Sequence, residues 1–439
     1  QHERGVKLKK AAFYTLGCKV NQYDTEAVVE AFKAADYEIV SFNEYADVYL
    51  VNTCTVTHLS DRKCRQALRK TKKVNPNSIL IAMGCYAQSA KEKIKEEVEE
   101  VDIIVGTNHR SQIVKLVEEY NETQVFNNTV ANIMDVEEFE ELKISAMDEH
   151  TRVYLKIQEG CNNYCTYCII PYVRGKIRSR KEENVMDEAK RLAEAGFKEI
   201  ILTGIHVASY GKDLEDVSLT SLIPKIHGIS DIERLRMSSI EPIVVTDKFV
   251  EMIEKLPKLC RHFHLSLQSG CDTVLKRMNR KYQVAEYEES VRRLREVWPD
   301  VAITTDIIVG FPGETEEEFE QTLEFVKHIQ FAQVHIFPYS TREGTPAAKM
   351  KDQVAPAVKE LRVKRLKKAV DESSKAFLQA HLDKEVEVLF EQQGDGKAYG
   401  HTSNYLKVEV STDEDIANSI QLVKVDNICG ELLEGHIVG

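Results

Sequence analysis

The sequence predicts an α/β protein of three successive parts, and three observations support this prediction. Short apolar runs alternate with helical patterns in the first 120 residues, which is typical of a parallel sheet. The same alternation repeats six times over residues 151–375, which favours a partial (β/α)6 barrel, three-quarters of the eight-unit form. Short strand-like runs without helices follow from residue 376, which indicates a small closed β-barrel.

These patterns divide the chain into four segments. We expect an N-terminal parallel α/β domain at 8–120, a polar and acidic linker or extension at 121–150, the partial barrel at 151–375 and the all-β barrel at 376–439. A length of 439 residues suits two or three domains, and 43% apolar with 30% charged residues is ordinary for a globular protein. The formal net charge of −12 disfavours a nucleic-acid partner unless local basic patches override it.

The composition also bears on the compartment. No apolar run reaches the length of about 18 residues that indicates a transmembrane helix, and the N-terminus lacks the apolar core of a signal peptide. Ten cysteines in such a chain favour a reducing compartment and metal binding over disulfides. We therefore expect a cytoplasmic protein with no membrane partner.

Three cysteines in the N-terminal domain stand just past predicted strands. The predicted strands cover 10–16, 48–51, 79–82 and 102–105. The cysteines that follow the first three of them are Cys18, Cys54 and Cys85. Because open α/β sheets place ligands at the carboxyl ends of their strands, we expect these side chains to meet in space. The alternative is that each is a small buried apolar residue, which is the role we expect of Cys64 in the basic helical segment 61–73.

The densest motif is the loop after the first predicted barrel strand, 152–158. Residues 160–168 read Gly-Cys-Asn-Asn-Tyr-Cys-Thr-Tyr-Cys, which places Cys161, Cys165 and Cys168 on one short segment. Three converging thiolates can hold three irons of a four-iron cluster and leave the fourth iron open. A closed zinc site would need a fourth ligand nearby, and none follows at zinc-finger spacing.

Polar residues, a glycine and one phenylalanine stand at or near the ends of the other predicted barrel strands. Those strands cover 199–202, 234–237, 262–267, 302–308 and 333–337. Barrel active sites lie at the carboxyl ends of the strands, so these residues are candidates for one pocket. The candidates are Gly204, Ser239, Glu241, Gln268, Asp306 and Phe311. Ser239 and Glu241 suit a ribose or an amino group, and the turn at 310–313 suits the edge of an adenine.

A basic run follows the cysteine loop. Its members are Arg174, Lys176, Arg178, Arg180 and Lys181. One interpretation is a solvated surface, and the other is contact with an anionic substrate backbone. The C-terminal barrel is acidic, which argues against phosphate binding by its whole surface, although one face with His401, Asn404 and Tyr405 remains a candidate for RNA contact.

The cysteine motifs together resemble those of one family. Residues 15–22 read Thr-Leu-Gly-Cys-Lys-Val-Asn-Gln, residues 52–57 read Asn-Thr-Cys-Thr-Val-Thr, and residues 84–88 read Gly-Cys-Tyr-Ala-Gln. With the loop at 160–168 and the domain order, they resemble the radical S-adenosylmethionine (SAM) methylthiotransferases over residues 8–439. The first two motifs most resemble the MtaB branch. The resemblance implies an N-terminal methylthiotransferase domain, a radical SAM barrel and a C-terminal, OB-like TRAM domain.

The resemblance also implies a reaction and its cofactors. The enzyme would convert N6-threonylcarbamoyladenosine at position 37 of tRNA to its 2-methylthio derivative. Two [4Fe–4S] clusters are implied, one on Cys161, Cys165 and Cys168 and one on the three strand-end cysteines. The first would cleave SAM to a 5′-deoxyadenosyl radical that takes hydrogen from adenosine C2, and the second would carry the sulfur that a second SAM methylates. Tyr167 joins the pocket residues as a SAM-binding candidate.

The implied partners are the tRNA anticodon loop and a flavodoxin- or ferredoxin-like electron donor, and a monomer is consistent with the sequence. Three alternatives stay open: isopentenyladenosine as the modified base, an aspartate of a ribosomal protein as the substrate, and a non-catalytic iron–sulfur or tRNA-binding protein. The acidic C-terminal barrel suits a basic ribosomal partner, but the residues around the cysteines speak against it. A scaffold role leaves a three-cysteine site with an open iron unexplained.

Overall fold

The structure is a computed structural model and describes residues 8–91, 93–142, 144 and 151–438, with the backbone alone at His58. This part of the chain forms two compact units, which are described separately. The first unit contains the described residues of 1–146 with Gln158–Arg180 and Ser340–Thr345. The second contains the described residues of 147–157 with Lys181–Tyr339 and Pro346–Gly439.

A six-stranded sheet forms the base of the first unit. Its strands are β1 (Lys9–Thr15), β2 (Tyr37–Val40), β3 (Val48–Thr53), β4 (Ile79–Gly84), β5 (Ile103–Val105) and β6 (Asn127–Asn128). They lie in the order β2-β1-β3-β4-β5-β6, and each neighbouring pair is parallel. Every residue of β3 and β4 is buried, because helices cover both faces of the sheet. The predicted parallel α/β architecture is therefore confirmed.

The helices of the first unit lie between these strands along the chain. They are α1 (Lys19–Ala34), α2 (His58–Val74), α3 (Cys85–Ser89), α4 (Lys93–Glu97) and α5 (Ile113–Thr123). The Thr57 side chain caps α2 by accepting a hydrogen bond from the amide of Ser60. The helical pattern of residues 90–100 predicts one helix between β4 and β5, and α4 lies within that stretch. The short helix α3, which directly follows β4, lies outside it.

The segment predicted as a linker is packed into the first unit where the structure describes it. Helix α5 continues to Thr123, and Tyr23 donates a hydrogen bond to the carbonyl of Leu142 at 3.2 Å. Two of its carboxylates, Glu140 and Glu141, accept hydrogen bonds from arginines. The domain boundaries at 120, 150 and 375 stay predictions.

The central region follows the predicted alternation closely. Its strands are β7 (Arg152–Glu159), β8 (Arg178–Ser179), β9 (Glu199–Gly204), β10 (Arg234–Met237), β11 (His262–His264), β12 (Ala302–Val309) and β13 (Gln333–Pro338). One sheet has the order β10-β9-β7-β8 and another the order β11-β12-β13. A parallel bridge between Ile240 and Leu265 links the segments that follow β10 and β11.

Helices follow the strands of this region. They are α6 (Ile170–Arg174), α7 (Glu182–Glu194), α8 (Leu219–His227), α9 (Asp247–Ile253), α10 (Asp272–Arg277), α11 (Val284–Val297), α12 (Glu316–Ile329) and α13 (Pro356–Gln379). The pattern Thr-x-x-Glu at 315–318 predicts an N-terminal cap, and the structure confirms it, because Thr315 and Glu318 form a reciprocal capping box at the start of α12. None of the described helices combines the length and the apolar character that a bilayer crossing requires.

The chain ends in a closed five-stranded barrel, as predicted. Its strands are β14 (Glu385–Gly394), β15 (Lys397–Thr402), β16 (Lys407–Ser411), β17 (Ile420–Cys429) and β18 (Leu432–Ile437), in the order β14-β15-β16-β18-β17. The sequence did not indicate β15 and β18. Each contains a glycine, which weakens the strand pattern. At Gly400 a Cβ would lie 2.3 Å from the carbonyl oxygen of Leu389, so the close strand approach requires glycine.

Candidate functional site

The backbone of the cysteine loop is held by glycine and by turn hydrogen bonds. Gly160 has φ of +73°, and a Cβ there would lie 1.8 Å from the carbonyl oxygen of Lys176. The amide of Cys161 donates to the carbonyl of Gly175 at 3.0 Å, and the amide of Cys168 donates to the carbonyl of Cys165 at 2.9 Å. These contacts fold the segment so that its cysteines lie on one tight turn. Cys165 is buried, while Cys161 and Cys168 are half-buried.

The three strand-end cysteines follow neighbouring strands. Cys18 caps the N-terminus of α1 after β1, Cys54 directly follows β3, and Cys85 directly follows β4. Since β1, β3 and β4 are adjacent and parallel, the three thiols lie at the same edge of the sheet. A Cβ on Gly17 would lie 3.2 Å from Sγ of Cys54, so glycine there leaves space around that sulfur.

Two of these three thiols, those of Cys54 and Cys85, are buried, and burial changes their pKa. It raises the pKa of the Cys85 thiol to about 11, and the neighbouring Arg174 guanidinium partly opposes this effect. Burial likewise raises the pKa of Cys54, and the negative charge of a Cys18 thiolate would raise it further. Ionising all three together requires a compensating positive charge, which a cluster iron would supply. The donor set and the space around it therefore fit an iron–sulfur cluster.

Cys64 lies beside this group but faces the backbone. Its Sγ is 3.3 Å from the amide nitrogen of Cys54 and 3.4 Å from the carbonyl oxygen of the same residue. The side chain is fully buried within α2, and burial raises its pKa to about 12. Its contacts with Cys54 are consistent with the structural role that we expected of it.

Arg174 connects the strand-end cysteines to the cysteine loop. Its Nε donates to Sγ of Cys85 at 3.2 Å, and its Nη1 donates to Asp24 at 2.9 Å and to Glu159 at 3.1 Å. Asp24 lies on α1, and Glu159 is the last residue of β7, just before the loop. Cys85 also packs against Ile169, which directly follows Cys168. One buried guanidinium thus binds the elements that carry both sets of cysteines.

This arrangement corrects part of the predicted RNA surface. We expected Arg174, Arg178 and Arg180 to contact an anionic substrate, but their exposed fractions are 0%, 2% and 2%. Arg178 donates to the carbonyl of Arg174, and Arg180 pairs with Glu141 at 2.7 Å. Three side chains of the run are therefore interior, and Lys176 and Lys181 are exposed.

The buried partners of these arginines were missed in the sequence. Asn21 and Asp24 lie on the buried face of α1, and Arg110 pairs with Asp24 and with Glu140. A polar residue on the apolar face of an amphipathic helix is the signal that could have revealed them, because a buried charge requires a partner. The local sequence does not show which residue that partner is.

The predicted pocket residues of the barrel differ in their surroundings. Glu241 pairs with His206 at 2.9 Å and with Arg280 at 2.9 Å, so its carboxylate is already held on two sides. Ser239 is exposed, and Gly204 is half-buried at the end of β9. Gln268 has φ of +72°, and its backbone pairs with β12.

One of the predicted pocket residues has surroundings that do not suit the role expected of its side chain. The Phe311 ring is fully buried and meets the Tyr339 ring edge-on at 5.5 Å, so its side chain is not available to an adenine. Only the backbone of that turn could face a ligand. Asp306 lies in the middle of β12, 3.3 Å from Nε2 of His264. Tyr167 is half-buried within the cysteine loop.

Comparison with known proteins relates the chain to named families. The Radical SAM superfamily matches residues 155–326, and the Uncharacterized protein family UPF0004 matches residues 10–106. The threonylcarbamoyladenosine tRNA methylthiotransferase MtaB of Bacillus subtilis (strain 168) is 43% identical over 94% of this chain and 93% of its own. The protein of the same name from Aquifex aeolicus (strain VF5) is 42% identical over 87% of this chain and 92% of its own.

A further relative carries a different name. The tRNA-2-methylthio-N(6)-dimethylallyladenosine synthase of Thermoanaerobacter pseudethanolicus is 37% identical over 97% of this chain and 92% of its own. Among known structures, the radical SAM methyltransferase TsrM of Kitasatospora setae matches with a TM-score of 0.56 at 14% identity, over 78% of this chain and 77% of its own. At that identity the likeness concerns the fold alone.

Proposed function

The chain belongs to the radical SAM tRNA methylthiotransferase family, and we propose that it methylthiolates N6-threonylcarbamoyladenosine at position 37 of tRNA. The observation that carries the proposal is the presence of two cysteine triads in one compact unit, joined through Arg174. One triad alone would suit many radical SAM reactions. A second triad at the strand ends gives the chain a place to hold the sulfur that is transferred.

The residues have distinct proposed roles. Cys161, Cys165 and Cys168 would hold one [4Fe–4S] cluster, the one that binds SAM, and Cys18, Cys54 and Cys85 would hold another. When bound, these groups supply the electron, the radical chemistry, the sulfur and the methyl group that the reaction needs. The protein fixes their positions: Gly160 allows the loop to turn, and Gly17 leaves space beside Cys54.

Within the barrel, Gly204, Ser239, Glu241 and Gln268 are the residues that we propose for SAM. Glu241 is oriented by His206 and Arg280, which hold its two oxygens in fixed directions. A carboxylate held in this way presents a stable acceptor to an amino or hydroxyl group. Tyr167 in the cysteine loop remains a proposed SAM contact.

One basic surface is proposed for the tRNA partner. Lys176 and the exposed basic residues of α2, such as Arg62 and Lys63, offer charge to the phosphates of the anticodon loop. An anticodon loop presents unstacked bases, which an enzyme can read without melting a helix. The electron donor is proposed to be flavodoxin- or ferredoxin-like, and the place of reaction the cytoplasm.

The choice of base rests on relatives. The two MtaB proteins are 43% and 42% identical to this chain. The tRNA-2-methylthio-N(6)-dimethylallyladenosine synthases, such as the one from Thermoanaerobacter pseudethanolicus, are 37–39% identical to it. These values favour threonylcarbamoyladenosine. Isopentenyladenosine is the second candidate, because both modified bases are adenosines and the same chemistry at C2 serves either of them.

The proposal is tested by mass spectrometry of nucleosides from tRNA of a strain that lacks methylthiotransferases, with and without this protein. We expect 2-methylthio-N6-threonylcarbamoyladenosine to form, and unmodified threonylcarbamoyladenosine to fall. A Cys18→Ala chain expressed at the same level is the matched control, in which no product forms. A methylthio product on isopentenyladenosine alone would overturn the proposed substrate base but support the methylthiolation reaction. Unchanged tRNA would overturn both the substrate and the reaction.

A further inference from the structure

Three side chains that the proposed reaction does not use lie together on the second sheet of the barrel. His264, Asp306 and His335 each present one ligand atom, and these atoms lie within 4.8 Å of one another. Nε2 of His264 lies 3.3 Å from Oδ2 of Asp306. This spacing places two imidazoles and one carboxylate around a common point.

The strand register explains why they meet. In β11 and β12, His264 stands opposite Thr304, and in β12 and β13, Asp306 stands opposite His335. Alternate residues of a strand share a face, so Thr304 and Asp306 point to the same side of the sheet. His264 and His335 lie on that same side, on the strands that flank Asp306. Regular strands hold the cluster, which makes its geometry more rigid than a loop would.

A hydrogen bond orients the first imidazole. Nδ1 of His264 lies 3.1 Å from Oγ1 of Thr304, and the same hydroxyl lies 3.3 Å from Nε2 of His262. If Nδ1–H of His264 donates to Thr304, the hydroxyl hydrogen donates onward to His262. The free lone pair of His264 is then on Nε2, the atom that faces Asp306. Outer partners of this kind fix the tautomer of metal-binding histidines.

The second imidazole, that of His335, is accessible to solvent. His335 is exposed, and its ring stacks on that of His264 with centroids 6.0 Å apart. It makes no hydrogen bond or ion pair with the residues that the structure describes. His335 also lines a groove of about 590 Å³ along β13 and α13, where Lys367 and Asp371 are among the other lining residues. An ion could therefore reach the cluster from solvent.

We propose that His264, Asp306 and His335 bind a divalent transition-metal ion of the Zn²⁺ or Fe²⁺ class, at a site separate from the cysteines. Two imidazole nitrogens and one carboxylate oxygen suit these borderline ions, whereas Mg²⁺ and Ca²⁺ prefer oxygen ligands alone. Three protein ligands leave positions free for water or for an oxygen of another molecule. Asp306 thereby acts as a metal ligand instead of a SAM contact.

The test measures zinc on the full-length protein with its clusters assembled under anaerobic conditions. After passage over a chelating resin, the protein is titrated with Zn²⁺, and bound zinc, iron and sulfide are counted per chain. We expect the wild type to bind one equivalent of Zn²⁺ that His335→Ala and Asp306→Asn both lose. The matched control is His328→Ala, which removes an exposed histidine paired with Glu288 and should retain the equivalent.

Iron and sulfide contents distinguish loss of this site from loss of the clusters, and they should be unchanged in each variant. Thr304→Val keeps all three ligands but removes the hydroxyl, and we expect it to weaken zinc binding about 10- to 100-fold, as for other outer partners of a metal site. Equal zinc content in the wild type and His335→Ala, with equal iron, overturns the proposal. Retention of zinc by Asp306→Asn at unchanged affinity overturns it as well.

Discussion

Arg174 donates a hydrogen bond from its Nε to Sγ of Cys85 across 3.2 Å, and both side chains are buried. The same guanidinium binds Asp24 and Glu159. If Cys85 binds a cluster as proposed, a hydrogen bond to its sulfur and a nearby positive charge would both favour the reduced state of that cluster. Arg174 thus has a structural and an electrostatic role in the first unit.

Replacing Arg174 by methionine should destabilise the protein. The change leaves Asp24 and Glu159 buried with fewer partners, and breaking a buried ion pair in this way costs about 3–5 kcal/mol. Urea unfolding of the full chain measures the loss. Lys176→Met is the control, because Lys176 is exposed and a surface change should stay within about 0.5 kcal/mol. Equal unfolding midpoints for the two variants would contradict the network.

Substitutions in the two cysteine triads should affect different steps of the reaction. Cys161→Ala should abolish cleavage of SAM to 5′-deoxyadenosine, because the loop would lose a ligand of the cluster that binds SAM. Cys18→Ala should keep cleavage and lose the methylthio product. Chromatography of 5′-deoxyadenosine and mass spectrometry of tRNA nucleosides measure the two steps. Cys429→Ala, at an exposed cysteine of the C-terminal barrel, should change neither. Methylthiolation by Cys18→Ala would refute the second cluster.

Gly160 and Gly196 offer a matched comparison of backbone strain. Both have positive φ, but a Cβ on Gly196 meets nothing within 4 Å, whereas one on Gly160 meets the carbonyl oxygen of Lys176 at 1.8 Å. Gly196→Ala should cost about 1–2 kcal/mol, the penalty of the left-handed region alone. Gly160→Ala should cost more and reduce SAM cleavage, since the loop must move. Thermal unfolding and the SAM cleavage assay measure these two effects. Similar melting points for Gly160→Ala and Gly196→Ala would contradict the prediction and show that the loop relaxes freely.

Glu26 should make stability depend on pH. Burial raises the pKa of its carboxyl to about 7, and a hydrogen bond with Gln22 only partly opposes this. The folded protein therefore holds a proton that the unfolded chain releases at its ordinary pKa near 4.5. Stability from this group is present below pH 4.5 and is lost as the pH rises through 7.

A Glu26→Gln variant isolates this effect, because the amide stays neutral at every pH. The difference in free energy of unfolding between the variant and the wild type should shift in favour of the variant by about 1–3 kcal/mol from pH 5 to pH 8. Unfolding in urea at both pH values measures the difference. Glu38→Gln, at an exposed residue of β2, serves as the control with no such gain. A gain that is the same at pH 5 and pH 8 would rule out titration of Glu26.

Arg236 should anchor the C-terminal barrel within the second unit. It forms a buried pair with Glu199 at 2.6 Å, donates to the carbonyl of Ser403 at 3.1 Å and lies 4.6 Å from the centre of the Tyr405 ring. Arg236→Met leaves the Glu199 charge buried, so we expect a loss of about 3–5 kcal/mol.

Amide hydrogen exchange over 397–411 should become faster in Arg236→Met, because the barrel loses contacts at its loop. Arg261→Met is the matched control. Its pair with Asp300 is about half exposed on both sides, and such pairs contribute at most about 1 kcal/mol. Unchanged exchange in the Arg236 variant would mean that the other contacts suffice.

The sequence by itself determined the fold class and the positions of the six motif cysteines. Strand and helix patterns are local, and most strands, the cap at Thr315 and the placement of Cys18, Cys54 and Cys85 after adjacent strands follow from them. Parallel strands bring their carboxyl ends to one edge whatever the details of packing, so the meeting of these cysteines was predictable.

Only the tertiary structure decided which charges are interior. The basic run at 174–180 has the same local pattern whether it is solvated or buried, and its outcome depends on Asp24, about 150 residues earlier, and on Glu141. The cluster of His264, Asp306 and His335 likewise depends on strand register, which brings together residues from three separate strands. A buried charge or a metal ligand requires a partner in space, and partners far apart in the chain leave no local signal.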